Sequence, residues 1–237
     1  MSELQHKHSS HMRACMLFST AVAAGFDIAA EMRAPTERGG VAQNIMDSGS
    51  GIDAIHAVQT TLQPRAGDSV VEIGPGSGWA LREILKHKAS VHAVEISQVF
   101  RDTINDDEAF QQAQTDGALT LVGDDALKLD LDDASVDKVF GFNVVYFLDP
   151  LTAYLKELLR VMKGGAKLVW GVKEAAQNID PSGKVYVNTV WSDIKSKMEE
   201  AGFVNVVVMD QAILDTNMGV EYTPILGYKA ATLKEEV

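Results

Sequence analysis

The sequence predicts an α/β chain: a doubly wound, mostly parallel sheet of seven strands with helices on both faces and an N-terminal helical lid. Three observations carry this. Strand-like and helix-like runs alternate from residue 69 to residue 230, the pattern left by parallel strands joined through helical crossovers. One strand, Val70 to Ile73, turns at once through Gly74-Pro75-Gly76-Ser77-Gly78 into a helix that begins at Trp79. The 237 residues, 46% of them apolar, suffice for one large core rather than two.

In chain order, residues 1–34 read as a polar tail followed by a helix, with Met12, Cys15, Met16, Val22 and Phe26 on one face and a closing turn at Ala34-Pro35-Thr36. Residues 39–51 contain Gly39, Gly40, Gly49 and Gly51 around a short helical piece at Val41–Met46, which suits a connector or a hinge under a lid. Ile52 to Leu62 reads as a helix whose apolar face is Ile52, Ile55, Val58 and Leu62, ended by Pro64. This divides the chain into a cap at 1–62 and a cofactor-binding domain at 63–237. Strands are expected at 69–73, 90–95, 118–122, 137–143, 166–172, 203–209 and 224–230. Helices are expected at 79–87, at 97–104 with room for an extension, at 150–162 and at 190–201. In the third of these, Asp149 supplies a cap, Pro150 suits the first turn, and Gly164-Gly165 marks the stop. Its buried stripe is Tyr154, Leu155, Leu158, Leu159 and Met162.

Charge narrows the partners. The net charge is −12, from 33 acidic and 21 basic residues, and the basic residues form no run. Such a chain is repelled by phosphate backbones and anionic lipid surfaces, so neither nucleic acid nor membrane is expected as its partner. Cys15 is the only cysteine, which excludes an internal disulfide and a cysteine-based zinc site and fits a cytoplasmic location. No apolar run is long enough to span a bilayer. Residues 14–24 also fit a secretory signal core, with Arg13 before them and Ala21-Val22-Ala23 as a cleavage site; an ordinary helix is the preferred reading. No metal site is expected, either at His6, His8 and His11 or at Asp130, Asp132, Asp133 and Asp137. His56 reads as structural, and Trp170 and Trp191 as core.

The glycine turn is where chemistry concentrates. It places backbone N–H groups and a helix N-terminus at the carboxyl edge of the sheet, a site for a nucleotide-like ligand. The spacing is Gly-x-Gly-x-Gly, and Trp79 stands where the dinucleotide fingerprint requires a further glycine. Glu95 ends the next strand, where a carboxylate can accept hydrogen bonds from both ribose hydroxyls.

After the strand at 118–122 come Gly123-Asp124-Asp125-Ala126 and then Ser135-Val136-Asp137. Further on stand Asn143-Val144-Val145-Tyr146-Phe147, Arg160-Val161-Met162-Lys163-Gly164-Gly165 and Ala201-Gly202-Phe203. With these segments the chain, over roughly residues 40–230, resembles the class I S-adenosylmethionine-dependent methyltransferases. The resemblance implies a Rossmann-like methyltransferase fold and S-adenosyl-L-methionine as cofactor. It implies a cofactor site of Glu72, Gly74, Gly76, Ser77, Gly78, Glu95, Ile96, Asp124 or Asp125, Ala126 and Asn143. Of the acidic pair, Asp125 aligns with the aspartate that meets the adenine amino group, one position from Asp124. Tyr146 is the candidate group facing the methyl. The expected reaction is in-line methyl transfer to a small-molecule acceptor, in a pocket built by residues 1–62 and 173–189. The alternatives are a non-catalytic binding or partner subunit and, on a related sheet, a nicotinamide-dependent oxidoreductase.

Overall fold

The computed structural model describes residues 27–37, 40, 51–173, 180, 182–209, 213–215 and 219–231. The expected helix at 12–26, the signal-like segment at 14–24 and the helical piece at Val41–Met46 lie outside these residues.

Apolar β-branched runs supply the central strands β1 (Ser69–Ile73), β2 (Ser90–Val94), β3 (Leu119–Val122), β4 (Val136–Phe142) and β5 (Met162–Val172). These five are parallel. Two longer-range strands, β6 (Phe203–Val208) and β8 (Val220–Lys229), add on antiparallel in the order β3-β2-β1-β4-β5-β8-β6. The expected seven are therefore present. An eighth, the three-residue β7 (Ile213–Asp215), pairs with β8 through Ile213↔Tyr222 and Asp215↔Val220. It is too short for a period-two signal to reveal.

The described helices are α1 (Ile28–Arg33), α2 (51–57, continued by a π-helical turn at Val58–Leu62), α3 (Trp79–Lys86), α4 (Gln98–Asn105), α5 (Glu108–Thr115), α6 (Leu151–Val161) and α7 (Trp191–Ala201). The two sheet faces bury separate cores. One combines Val71, Ile73 and Val139 with Leu155 and Leu158 of α6 and Ile194 and Met198 of α7. The other combines Val70 and Phe140 with Ala54, Ala57, Val58 and Leu62 of α2 and Leu81 and Ile84 of α3.

Several local expectations are corrected. The extension allowed beyond 97–104 is a separate helix, α5, because Asp107 interrupts the chain and recaps it, accepting from the N–H groups of Ala109 (3.0 Å) and Phe110 (3.3 Å). Asp149 does not cap α6; Pro150 occupies that position with no side-chain cap. Nor does Gly164-Gly165 stop α6. The helix ends at Val161 because Met162 already pairs with Val136, and the glycines fall in an irregular stretch of β5, where Gly165 has φ +83°. Met162 accordingly belongs to the strand. The buried face of α2 is also rotated from the expected one: Ala54, Ala57, Val58 and Leu62 are buried, whereas Ile52 is 46% exposed. Asp53 takes the inward place, and its carboxylate accepts from the N–H of Glu221 (3.0 Å) and pairs with Lys173. α2, assigned from sequence to the cap, thus packs into the sheet core.

Candidate cofactor site

β1, β2 and β3 end side by side, and their carboxyl ends carry the glycine loop, Glu95 and the paired acids. Parallel pairing sets this alignment, with Ile73 level with Val94 and Val94 level with Val122. The glycine loop then uses left-handed backbone at Gly74 (φ +66°), Gly76 (φ +56°) and Gly78 (φ +84°). A Cβ at Gly76 would meet nothing within 4 Å, so the loop presents bare backbone to open space. A Cβ at Gly78 would lie 2.7 Å from the ring of Phe110, which therefore sits directly behind the loop. The sequence reading missed Phe110; its only signal is an aromatic residue on a short polar helix. Trp79 opens α3 and lies against Gly51, where an added Cβ would come within 2.6 Å of the indole.

Glu95 is 4% exposed and ties two of these elements together. One carboxylate oxygen accepts from Ser97 N (2.8 Å) and the other from Gly76 N (3.0 Å). Each oxygen keeps a lone pair suited to a hydroxyl donor. Burial pushes the Glu95 pKa upward, and the N–H groups of Ser97 and Gly76, the Arg101 charge and the Ile96 N–H only partly offset this. Glu72, on β1, is 2% exposed, and its Oε2 finds no partner among the described residues. Burial, and after it the neighbouring Glu95, raise its pKa to about 8, which favours the neutral acid. Ser77 Oγ is likewise buried without a partner among the described residues.

Asp124 and Asp125 are both exposed on the loop after β3, and Ala126 is buried beneath them. Asp124 Oδ1 accepts from the N–H of Asp125 (2.8 Å), and Asp125 Oδ1 accepts from that of Leu127 (3.2 Å). Ile96 and Leu127 are exposed apolar side chains after neighbouring strands. Ile96 was expected at the site; Leu127 was not. The cap segment reaches the same edge, where Ser97 Oγ donates to Pro35 O (3.4 Å).

The β4–β5 side differs. Asn143 follows β4 in left-handed backbone (φ +55°) and donates its N–H to Gly171 O (2.8 Å). Its Oδ1 accepts from the Tyr146 hydroxyl (3.1 Å). Tyr146, expected to face the methyl, is 1% exposed, and its hydroxyl also accepts from Lys173 N (2.6 Å). Its ring stacks on Tyr186 at 5.3 Å, and burial drives its pKa far above the ordinary phenol range. It holds the loop after β4 to the end of β5; this geometry gives it no free hydroxyl for a methyl acceptor. The described part of the expected pocket segment 173–189 docks here too. Asn188 donates to Val145 O (3.0 Å) and Leu148 O (2.8 Å) and accepts from Lys197 (2.9 Å). His56 Nδ1 lies 3.0 Å from Tyr222 Oη, as a structural histidine should, and Trp170 is fully buried. Asp137 lies on β4, accepts from Ser69 N (2.9 Å) and pairs with Lys163 (2.8 Å). Among the described residues, no group of His, Cys, Asp and Glu could hold a metal ion, and no helix is long and apolar enough to cross a membrane.

The chemistry of this donor set fits S-adenosyl-L-methionine. Bare backbone N–H groups suit its carboxylate, the free lone pairs of Glu95 suit its ribose, and Asp124 or Asp125 suits its adenine amino group.

Comparison with known proteins agrees. Residues 71–170 match the family model of a methyltransferase domain. A ribosomal RNA small subunit methyltransferase A of Thiobacillus denitrificans is 36% identical over 128 residues, covering 53% of this chain and 46% of that protein. The chain thus spans about half the length of that curated relative. Among solved structures, a chain of the complex between the Haloferax volcanii Trm112 methyltransferase activator and a methyltransferase superposes with a TM-score of 0.62 at 20% identity, covering 80% of this chain and 93% of that one. The Burkholderia thailandensis 1,6-didemethyltoxoflavin-N1-methyltransferase, solved with its substrate and S-adenosylhomocysteine, gives 0.58 at 16% identity, covering 93% and 90%. At these identities the solved structures establish the fold alone.

Proposed function

We propose, from the match of residues 71–170 to a methyltransferase domain, that this chain is an S-adenosylmethionine-dependent enzyme that transfers a methyl group to a small-molecule acceptor by in-line displacement. The observation that carries the cofactor side is the convergence of the glycine loop, Glu95 and Asp124-Asp125 on adjacent strand ends, with buried Glu72 and Ser77 atoms lacking partners among the described residues. S-adenosyl-L-methionine supplies the methyl as a sulfonium. The chain's own residues bind and align: Gly74–Gly78 meet the carboxylate end, Glu95 orients the ribose, and the acids after β3 select the base. Alignment of this kind is worth up to about 7–11 kcal/mol in well-oriented systems, so the reaction needs no dedicated acid or base unless the acceptor arrives protonated.

The small-molecule acceptor rests on the net charge of −12, which opposes a polyanionic substrate. A second reading has one specific observation behind it: the curated relative is a ribosomal RNA methyltransferase, which makes RNA the rival acceptor. Incubation with methyl-labelled cofactor and either a metabolite extract or an RNA fraction separates the two. Label in the small-molecule fraction supports the proposal; label confined to RNA replaces it with the rival. Tight cofactor binding with no label in either fraction makes the chain a binding subunit.

A further inference from the structure

Arg101, on α4, is not among the site residues expected from the sequence. The β2–β3 ladder makes its last rung where Glu95 N donates to Val122 O (3.0 Å), leaving the carbonyls of Glu95 and Ile96 beyond the sheet. Arg101 satisfies both, donating from one terminal nitrogen to Glu95 O (2.6 Å) and Ile96 O (2.8 Å). Its other terminal nitrogen donates to the Gln98 side chain (2.5 Å), which fixes the plane of the guanidinium. That plane lies on Gly123, the residue directly before the paired acids. A Cβ there would stand 2.8 Å from the guanidinium carbon and 2.9 Å from Nε. Gly123 is outside the left-handed region, so a side chain there would be opposed not by backbone conformation but by Arg101, whose guanidinium would have to shift to admit it. The cation also stands near the buried Glu95 carboxylate and favours its ionised form.

We infer that Arg101 is a positioning residue of the cofactor site, clamping the turn after β2 to the turn after β3 so that Glu95 and the paired acids keep the separation of a ribose and its base. Gly123 is the seat of the clamp. This rests on the cofactor reading above and adds to it a residue six positions beyond Glu95.

The test measures S-adenosylhomocysteine affinity by calorimetry for the wild type, Arg101→Met, Arg101→Lys, Gly123→Ala and the double variant Arg101→Met/Gly123→Ala, with thermal unfolding as a control for folding. Removing charge-assisted bonds should weaken binding about tenfold or more in Arg101→Met, and displacing the guanidinium should do the same in Gly123→Ala. With the guanidinium gone, the three atoms nearest the added methyl go with it, so Gly123→Ala should cost much less in the Arg101→Met background. Arg101→Lys should recover part of the loss, because an ammonium can still reach both carbonyls. A wild type that binds, with single variants that bind equally well, overturns the clamp. So does a Gly123→Ala penalty that is the same in both backgrounds. No binding by the wild type would instead defeat the cofactor reading. The clamp is then decided by hydrogen exchange without ligand: faster exchange at the 95–97 and 123–127 amides in Arg101→Met upholds it, and unchanged exchange overturns it.

Discussion

The two halves of the sheet's carboxyl edge are built on opposite plans. At the β1–β2–β3 ends, polar atoms are buried but left with spare capacity: Glu72 Oε2 and Ser77 Oγ lack partners among the described residues, and Glu95 uses one lone pair on each oxygen. At the β4–β5–β8 ends most polar side chains are instead paired with protein groups, Asn143 with Tyr146, Tyr146 with the Lys173 N–H, and Asp53 with Lys173 and the Glu221 N–H, while Trp170 Nε1 is the buried atom there without a partner among the described residues. Buried polar groups without partners cost stability, so a chain keeps them where a ligand will complete them. The first half therefore reads as a binding surface. The second reads as scaffold for the loop beside it.

The largest expected effect concerns Glu72. Its pKa is raised from 4.5 to about 8, so the folded state holds a proton that the unfolded state releases earlier. The stability from this proton is complete below about pH 4.5 and is lost progressively as pH rises towards 8. Glu72→Gln, a neutral isostere, should remove that decline, leaving the variant more stable than wild type at pH 8.5 by roughly a few kcal/mol. Denaturant titrations of both proteins at pH 5.5 and 8.5 check this; parallel profiles would mean that Glu72 is ionised in the folded protein. Next, Glu95→Ala should weaken S-adenosylhomocysteine binding by about 1–3 kcal/mol through lost charge-assisted bonds. Unchanged affinity would place the ribose elsewhere.

Tyr146→Phe sharpens the contrast from the other side. Loss of the hydroxyl should cost about 1–2 kcal/mol of stability, while cofactor affinity and turnover stay close to wild type. A large fall in turnover with little change in stability would return Tyr146 to the chemistry. Gly76→Ala should have a similarly small effect on the free protein: left-handed backbone costs an alanine about 1–2 kcal/mol, with no clash. If ligand fills the space over Gly76, the same methyl should sharply weaken S-adenosylhomocysteine binding by calorimetry; equal binding would mean the ligand stays clear of the loop.

Much of the first half was legible in the sequence because its features are local. Gly74, Gly76 and Gly78 announce left-handed turns, and Glu95 is fixed by the end of an apolar strand. The second half is written in contacts between distant residues. Asp53 meets Glu221 and Tyr146 meets Lys173, and no spacing rule links either pair. Helix α2 shows the same limit: its apolar pattern pointed to Ile52, yet a buried ion pair placed Asp53 inward instead. Arg101 was invisible for the same reason, since nothing in the chain joins it to Gly123 until β2 and β3 lie side by side.

The most direct test of the central claim is a thermal-shift comparison of S-adenosylhomocysteine with NAD. Stabilisation by S-adenosylhomocysteine and none by NAD is the result that the proposed cofactor assignment predicts. Stabilisation by NAD alone would contradict it.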